Sequence, residues 1–205
     1  MIYVSLDIET GGLSTTCPVL EIAAIVEDTL KPKSFDESLK CRILVIDAAD
    51  GQYIMEPKAA IMHAKSGLLD ELHEARKRFA NRAMHMEDGT IICEECDMLS
   101  HLAAFLDQAR NLQGDPTQKI TLAGKNVAMF DLPFLQSRHR EYGNDDVILP
   151  IRHRVFDVGP RFFEIHDTEV PSTKECAKRA NITASDSHRA IQDAWEVILM
   201  HRAAQ

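Results

Sequence analysis

The feature that most constrains the fold of this chain is an apolar N-terminal segment that ends in two carboxylates and two glycines. Residues 2–9 are rich in β-branched, aliphatic and aromatic side chains, which predicts a strand, and Gly11 with Gly12 stops it. Residues two apart in a strand point to the same face, so Asp7 and Glu9 would lie side by side at the strand's end. Two like charges this close are costly unless a cation neutralises them, and a hard divalent cation suits oxygen ligands. The alternative is an exposed strand end that happens to be acidic.

Length and composition indicate one globular domain spanning residues 1–205. Of the 205 residues, 45% are apolar and 27% charged, which is ordinary for a globular protein with a sizeable core. The longest apolar run, residues 19–26, is short and contains Glu21, so we expect no membrane span, and no secretory signal is evident. The five cysteines are odd in number and mostly isolated, which predicts reduced thiols and a cytoplasmic location.

The excess of acidic over basic residues argues against one class of function. The chain carries 23 Lys and Arg against 32 Asp and Glu, a formal net charge of −9. This argues against a large, non-specific nucleic-acid binder. It is compatible with an enzyme that holds a short strand at a metal-filled site, because divalent ions offset the acidic charge where a phosphate must sit.

The apolar pattern predicts three consecutive strands, over residues 2–9, 19–26 and 39–46, which would form an antiparallel meander. Residues 61–72 have helical spacing broken at Ser66-Gly67, and the charged residues 76–88 are interpreted as a surface excursion. The remaining predicted elements are a helix over 94–112, a strand over 119–124 that pairs in parallel, a helix over 132–142, a strand over 154–158, and helices over 172–180 and 189–202. This order predicts an α/β domain with a mixed five-stranded sheet flanked by helices.

A third carboxylate follows the fourth predicted strand. Asp131 lies where a helix begins, two residues before Pro133. One interpretation is a helix N-cap with proline in the first turn. The other is a partner for Asp7 and Glu9.

A histidine and an aspartate accompany the last predicted helix. His188 lies at or before its first turn and Asp193 lies at the margin of its apolar stripe. Residues five apart on an ideal helix are separated by about 140°, so the two side chains do not share a face. His188 would then sit on a movable loop, which suits a base that swings in when substrate binds. A solvated loop histidine and a solvated helix aspartate are the alternatives.

Taken together, these residues resemble the DEDDh family of 3′→5′ exonucleases, which includes proofreading exonucleases and oligoribonucleases. Asp7-x-Glu9, Asp131, His188 and Asp193 occur in the family's order, and the resemblance covers nearly the whole chain. The supporting matches are Asp7-Ile8-Glu9-Thr10-Gly11-Gly12-Leu13, Leu20-Glu21-Ile22-Ala23-Ala24, Phe130-Asp131-Leu132-Pro133-Phe134-Leu135 and His188-Arg189-Ala190. The chain departs from the family at Lys125, where the family usually has a histidine before Asn126. The segment His63-Ala64-Lys65-Ser66-Gly67-Leu68 is faintly like one in the oligoribonuclease branch.

The resemblance implies a ribonuclease-H-like fold and a metal-dependent 3′→5′ exonuclease that acts on single-stranded DNA or RNA and releases nucleoside monophosphates. It implies two Mg²⁺ or Mn²⁺ ions, about 4 Å apart in such sites. Asp7 would bridge both ions, Glu9 and Asp193 would complete the shell of the first, and Asp131 would act on the second. His188 would take a proton from the attacking water, a task that suits histidine in general because the unperturbed imidazole titrates near neutrality. The 3′ end would lie against Thr10, Gly11, Gly12 and Leu13.

Two rival functions remain open. One is a catalytically inactive ribonuclease-H-like module that only binds nucleic acid or a partner. The other is an accessory domain that docks on a polymerase or another protein, for which residues 76–88 could be the surface.

Other patterns are weaker. Cys93 and Cys96 have metal-ligand spacing with His85 and His101 nearby, but a closed zinc site needs four ligands and there is no second cysteine pair. The runs Arg138-His139-Arg140 and Arg152-His153-Arg154 could hold phosphates or be solvated faces. Asp157 ends a predicted strand and is interpreted as structural.

Overall fold

The computed structural model describes residues 1–46, 53–79, 84–86, 88–115, 117–142, 149–185 and 187–205. Within these ranges the strands are β1 (Ile2–Thr10), β2 (Val19–Asp28), β3 (Lys40–Ile46), β4 (Met84–His85), β5 (Thr90–Glu94), β6 (Leu122–Gly124) and β7 (Phe156–Asp157). The α-helices are α1 (Pro57–Lys65), α2 (Leu68–Arg78), α3 (Met98–Asn111), α4 (Asp131–Glu141), α5 (Thr173–Arg179) and α6 (Ala190–Ala203), and a 3₁₀ helix spans Gly159–Phe162.

The strands form one mixed sheet in the order β4-β5-β3-β2-β1-β6-β7. The predicted antiparallel meander of the first three strands is confirmed, because β2 pairs antiparallel with both β1 and β3. The predicted parallel pairing of the next strand is also confirmed, since β6 lies parallel to β1. The long strand β1 is therefore central, with neighbours on both sides.

The prediction of a five-stranded sheet is wrong, because the described residues alone form a sheet of seven strands. The missed strands are β5, which pairs in parallel with β3, and the two-residue β4 beside it. Residues 90–94 form a short apolar run whose strand conformation depends on the backbone groups of β3, and local pattern cannot report that partner. The helix predicted from residue 94 consequently begins only at Met98. Part of the predicted surface excursion, residues 80–83 and 87, lies outside the described residues.

Helices cover both faces of the sheet, following the alternation of side chains along β1. Val4, Leu6 and Ile8 point to the core shared with α3 and α4. Tyr3, of opposite parity, points to the core shared with α5 and α6. A third cluster packs α2 against β3 and β5. No helix within the described ranges is both apolar enough and long enough to cross a lipid bilayer.

Candidate active site

Three carboxylates meet at the C-terminal end of β1, on the face that α6 covers. Ser5 has the same parity as Asp7 and Glu9, and its hydroxyl donates to the carbonyl oxygen of Ala194 in α6 at 2.7 Å. Asp193 precedes Ala194 in the first turn of that helix. One oxygen from each of Asp7, Glu9 and Asp193 lies within 4.8 Å of the other two. Strand parity and helix docking together therefore bring the first and last predicted carboxylates into one cluster.

The apolar side of α6 fixes the place of Asp193. Its fully buried residues pack against β1 and β2, and these include Ala190, Ala194, Val197, Ile198 and Met200. Asp193 is only half-buried, at the margin of this apolar stripe, as the sequence pattern indicates. The carboxylate thus reaches the end of β1 while the rest of the helix contributes to the core.

Asp131 reaches the site from the opposite face of the sheet. It is the first residue of α4, is 3% exposed, and its Oδ1 accepts a hydrogen bond from the main-chain N–H of Ile8 at 3.0 Å. The N-cap position is occupied by Phe130, so the interpretation of Asp131 as the helix N-cap is wrong. Because Ile8 lies between Asp7 and Glu9, this hydrogen bond places Asp131 beside the three-carboxylate cluster, although it is not one of the three clustered oxygens.

Burial and mutual repulsion disfavour the charged forms of these acids. Burial raises the pKa of Asp7 well above its usual range, and the charges of Asp131, Glu9 and Asp193 raise it further. Burial, then Asp193 and Glu21, raises the pKa of Glu9 to about 8. Burial also raises the pKa of Asp131 to about 7 and that of Asp193 to about 7. The cluster is therefore poised to exchange protons for a cation.

The donor set fits a hard divalent cation. Carboxylate oxygens are the ligands that Mg²⁺ and Mn²⁺ prefer, whereas closed zinc sites use sulfur and nitrogen. Across the described ranges, Asp7, Glu9 and Asp193 are the one cluster of three metal-ligating side chains that meets the 4.8 Å separation. Cys93 and Cys96 belong to no such cluster with His85 or His101, whose rings lie edge to face at 5.9 Å. The structure therefore does not support a zinc site at Cys93 and Cys96.

His188 lies two residues before α6 and is exposed. Its backbone adopts φ 46°, in the left-handed region that non-glycine residues rarely occupy. Burial lowers the pKa of His63, and the charge of His188 lowers it further, so His188 lies within electrostatic range of His63. The proposed base therefore occupies a specific turn conformation directly before α6.

The predicted substrate-binding segment forms a tight bend beside the cluster. The Thr10 hydroxyl donates to the carbonyl of Gly12 at 2.7 Å, and Gly11 and Gly12 are buried. A Cβ on Gly12 would lie 2.5 Å from the carboxyl carbon of Glu56, so only glycine fits without displacing that side chain. Leu13, in contrast, is 78% exposed. An apolar side chain thus projects from the bend into open space next to the acids.

Two residues at this bend were not identified from the sequence. Glu56 donates its N–H to the carbonyl of Gly11 at 2.7 Å, and its Oε1 accepts from the N–H of Leu13 at 3.0 Å. His63 of α1 is buried, with Nε2 donating to the carbonyl of Thr10 at 2.9 Å and Nδ1 3.9 Å from Glu9 Oε2. The faint oligoribonuclease-like segment was the one signal for His63. Glu56, directly before Pro57, had none beyond a helix start.

The remaining polar signals separate into structural and exposed groups. Arg138 has a side chain only 3% exposed and pairs with Glu95 and Glu141, so it is committed to the fold. Asp157 accepts from the main-chain N–H groups of Asn126 and Gly159 at 2.7 and 2.8 Å, which agrees with its structural interpretation. The second basic run is exposed and lines an open groove of about 700 Å³ along α4, together with Lys119, Ala128, Leu132, Gln136 and Ile151.

The fold is similar to that of exonuclease I. The chain aligns over 98% of its length with E. coli exonuclease I in complex with a dT13 oligonucleotide, at 15% identity and a TM-score of 0.61, and covers 40% of that chain. The zinc-bound form of the E. coli exonuclease I complex with single-stranded DNA gives 16% identity, a TM-score of 0.64 and the same coverages of 98% and 40%. A product-bound structure of exonuclease I gives 15% identity and a TM-score of 0.61, with 98% of this chain and 42% of that chain covered.

No protein-family model matches the chain, and no curated protein matches it. At the identities above, the likeness establishes the fold alone, a mixed α/β arrangement of the ribonuclease-H-like type. The chain spans about two fifths of the length of the exonuclease I structures it matches.

Proposed function

We propose that this chain is a metal-dependent 3′→5′ exonuclease of the DEDDh type, which hydrolyses the terminal phosphodiester bond of single-stranded DNA or RNA and releases nucleoside monophosphates. The observation that carries the proposal is the meeting of Asp7, Glu9 and Asp193 oxygens within 4.8 Å, with Asp131 bonded to the strand between the first two. The likeness of the fold to an exonuclease crystallised with single-stranded DNA supports it.

The residues have distinct roles in this proposal. Asp7, Glu9 and Asp193 would hold the divalent ions, with Asp131 acting on the second ion from across the sheet edge. When bound, the ions stabilise negative charge on the attacking and leaving oxygens of the phosphodiester. His188 accepts the proton of the attacking water, and its exposure allows it to pass that proton to solvent.

The bend after β1 orients the 3′ end. Its buried glycines let a ribose approach the main chain closely, and the exposed Leu13 can wedge against the terminal base. The lining of the groove along α4 includes Leu132, the residue after Asp131, together with Lys119, Arg152 and Arg154. It offers cationic side chains to the phosphates of the strand in a protein whose net charge is −9.

The test is a hydrolysis assay with 5′-labelled single-stranded DNA and RNA in Mg²⁺, in Mn²⁺ and in EDTA. We expect metal-dependent ladders that shorten from the 3′ end, mononucleotide products, and no activity in a folded Asp7→Ala variant. Activity of that variant equal to the wild type would contradict the assignment. Tight binding of the strand without hydrolysis of either substrate would instead favour the inactive binding module, and absence of both would favour the docking domain.

A further inference from the structure

A fifth carboxylate lies beside the cluster and is not available to it. Glu21 of β2 is directly opposite Glu9 of β1, and opposed residues in an antiparallel pair project to the same face. Glu21 is fully buried, and its charge raises the pKa of Glu9. A buried, ionised carboxylate needs compensation from charged or hydrogen-bonding groups.

Two arginines and the start of α6 supply this compensation. Arg42 of β3 pairs with Glu21 Oε1, and Arg189 lies 3.5 Å from Oε2 through its Nε. The N–H of Ala190, the first residue of α6, donates to Glu21 Oε2 at 3.0 Å. Both carboxylate oxygens of Glu21 thereby have partners at Arg42 and at the start of α6, and Glu21 is not among the three residues of the clustered oxygens.

Glu71 of α2 closes the network from the other side. It accepts from both terminal nitrogens of Arg42, at 2.8 and 2.6 Å, and from a terminal nitrogen of Arg189. Two acids and two arginines thus form a neutral, alternating cluster that joins β2, β3, α2 and the residue that precedes α6. We call Glu21, Glu71, Arg42 and Arg189 the arginine clamp.

The clamp holds the residue next to His188. A left-handed backbone costs a non-glycine residue on the order of 1–3 kcal/mol and persists where the surroundings enforce it. On the C-terminal side of His188, the side chain of Arg189 is tied to Glu21 and Glu71. On the N-terminal side, the N–H of Ser185 donates to Glu196 of α6 at 2.5 Å. The turn is therefore anchored at both ends, with His188 between the anchors.

We propose that Arg189, through its ion pairs with Glu21 and Glu71, is a positioning residue that fixes His188 in the orientation needed to accept the proton of the attacking water. The inference rests on the proposed exonuclease function and assigns to the arginine clamp a role that the carboxylates do not have. Glu21 acts as an anchor in this scheme and does not ligate metal. In this proposal His188 is held in a fixed turn, whereas the sequence pattern suggested a base on a movable loop.

The test compares steady-state hydrolysis by wild type, Arg189→Met, Arg189→Lys, His188→Ala and the double variant His188→Ala/Arg189→Met. We expect kcat of Arg189→Met to fall about 100-fold, as misplacement by about 1 Å can cause. KM and the Mn²⁺ dissociation constant should stay within about threefold of wild type, because the ligating carboxylates are untouched. Lysine keeps the charge but lacks the planar guanidinium whose Nε and terminal nitrogen contact Glu21 and Glu71, so Arg189→Lys should be intermediate.

The double variant separates positioning from general stabilisation. If Arg189 acts through His188, the double variant should be no slower than His188→Ala alone. If the two losses multiply, or if Arg189→Met keeps the wild-type kcat, the inference is wrong. If Arg189→Met fails to fold, Glu71→Gln takes its place in the test. This variant weakens the more exposed of the two acidic anchors of Arg189 and should lower kcat in the same way.

A matched control is available in the same helix. Arg202 of α6 pairs through two nitrogens with Glu27 of β2, which is only 2% exposed, at 2.8 and 2.7 Å. Arg202→Met therefore breaks an equivalent contact between α6 and β2 at the far end of the helix. It should leave kcat unchanged, and an equal loss in this variant would show that only docking of α6 matters.

Failure of the clamp and failure of the proposed function are distinguishable. If wild type hydrolyses and Arg189→Met does so equally well, only the clamp is wrong. If wild type hydrolyses neither substrate, the proposed function is wrong. The clamp is then tested by amide hydrogen exchange. Arg189→Met should accelerate exchange at residues 187–190 where Arg202→Met does not, and equal protection in both variants overturns the clamp.

Discussion

Single side chains decide how the two faces of the sheet contribute to one site. Asp131 comes from the face covered by α4 and accepts a hydrogen bond from the N–H of Ile8. Asp7 and Glu9 come from the face covered by α6, where they meet Asp193. Because burial raises the pKa of each of these acids, the binding of a cation at neutral pH would be accompanied by proton release.

His188→Ala tests the proton acceptor at the residue scale. Removal of a general base lowers rate by about 10²- to 10⁴-fold, so we expect kcat to fall by that factor while Mn²⁺ binding persists. The measurement is single-turnover hydrolysis together with Mn²⁺ titration. His73→Ala, at an exposed position on α2, is the control and should keep the wild-type rate. An unchanged rate in His188→Ala would remove this histidine from the mechanism.

Glu9→Gln tests the electrostatic cost of the site. The pKa of Glu9 is about 8 in the folded chain and near 4.5 when unperturbed, so the folded protein binds this proton more tightly than the unfolded chain does. The resulting stabilisation is complete below the unperturbed pKa and is lost as pH rises through about 8. Glutamine resembles the protonated acid but does not ionise, so the variant does not lose this stabilisation as pH rises.

In EDTA we therefore expect Glu9→Gln to melt at a higher temperature than wild type at pH 9, by about 2–4 °C for each kcal/mol gained. The difference should shrink towards pH 4, where the wild-type acid is protonated in both states. Differential scanning calorimetry at the two pH values measures this. A variant that is less stable than wild type at pH 9 would show that Glu9 is not electrostatically strained.

At the scale of elements, two helices and one bend convert a strand end into a concave site. Helix α6 brings Asp193 onto β1, while α4 brings Asp131 from the other face. The bend after β1 is held by Glu56 and by His63 of α1. Along α4, a groove lined by Lys119, Arg152 and Arg154 also contacts Leu132, the residue after Asp131.

Arg152→Ala and Arg154→Ala test that groove. Each lost phosphate contact on a single strand should reduce the slope of log KM against log salt by about 0.7, with KM raised for long oligonucleotides. kcat on a dinucleotide should not change, because the groove lies beyond the terminal bond. Lys77→Ala is the matched control, since its side chain is 57% exposed and pairs with Glu74 on α2. Equal salt slopes in all four proteins would exclude the groove from the strand's path.

At the scale of the whole molecule, a cation bound by the acidic cluster would be linked to folding. Four carboxylates with raised pKa values lie at the C-terminal end of β1, in a fold whose strands and helices come from both ends of the chain. A ligand that binds only the folded state stabilises it by about 2.7 kcal/mol at 100 times its Kd. Metal should therefore stabilise the entire fold, and most strongly where the acids must ionise.

We expect Mg²⁺ to raise Tm at pH 8 and to have much less effect at pH 5, where protons compete with the ion at the raised-pKa acids. Asp7→Ala should abolish the shift, and Arg202→Met should retain it. Thermal unfolding with Mg²⁺ or EDTA at both pH values is the measurement. A Tm independent of Mg²⁺ at pH 8 in the wild type would mean that the cluster does not bind the ion.

The sequence by itself determined the elements with a strong local signature. The pattern of residues 2–9 predicted β1, the two following apolar runs predicted an antiparallel meander, and the stripe around Asp193 predicted α6 to within one residue at each end. The acidic positions singled out in the sequence include Asp7, Glu9 and Asp193, whose oxygens cluster in the structure. These features depend on neighbours within a few positions, which is the range over which periodicity operates.

Only the tertiary structure decided the rest, because the deciding contacts join distant parts of the chain. β5 is a strand by virtue of pairing with β3, more than 40 residues earlier. Asp131 is distinguished from a helix cap by a hydrogen bond to Ile8 across 123 positions, and the start of α6 is fixed by Glu21 across 169. Glu56 and His63 join the site because α1 folds back onto the bend after β1. A local pattern records which face of an element is apolar, whereas the partner that this face or its polar edge meets is set by the packing of the whole chain.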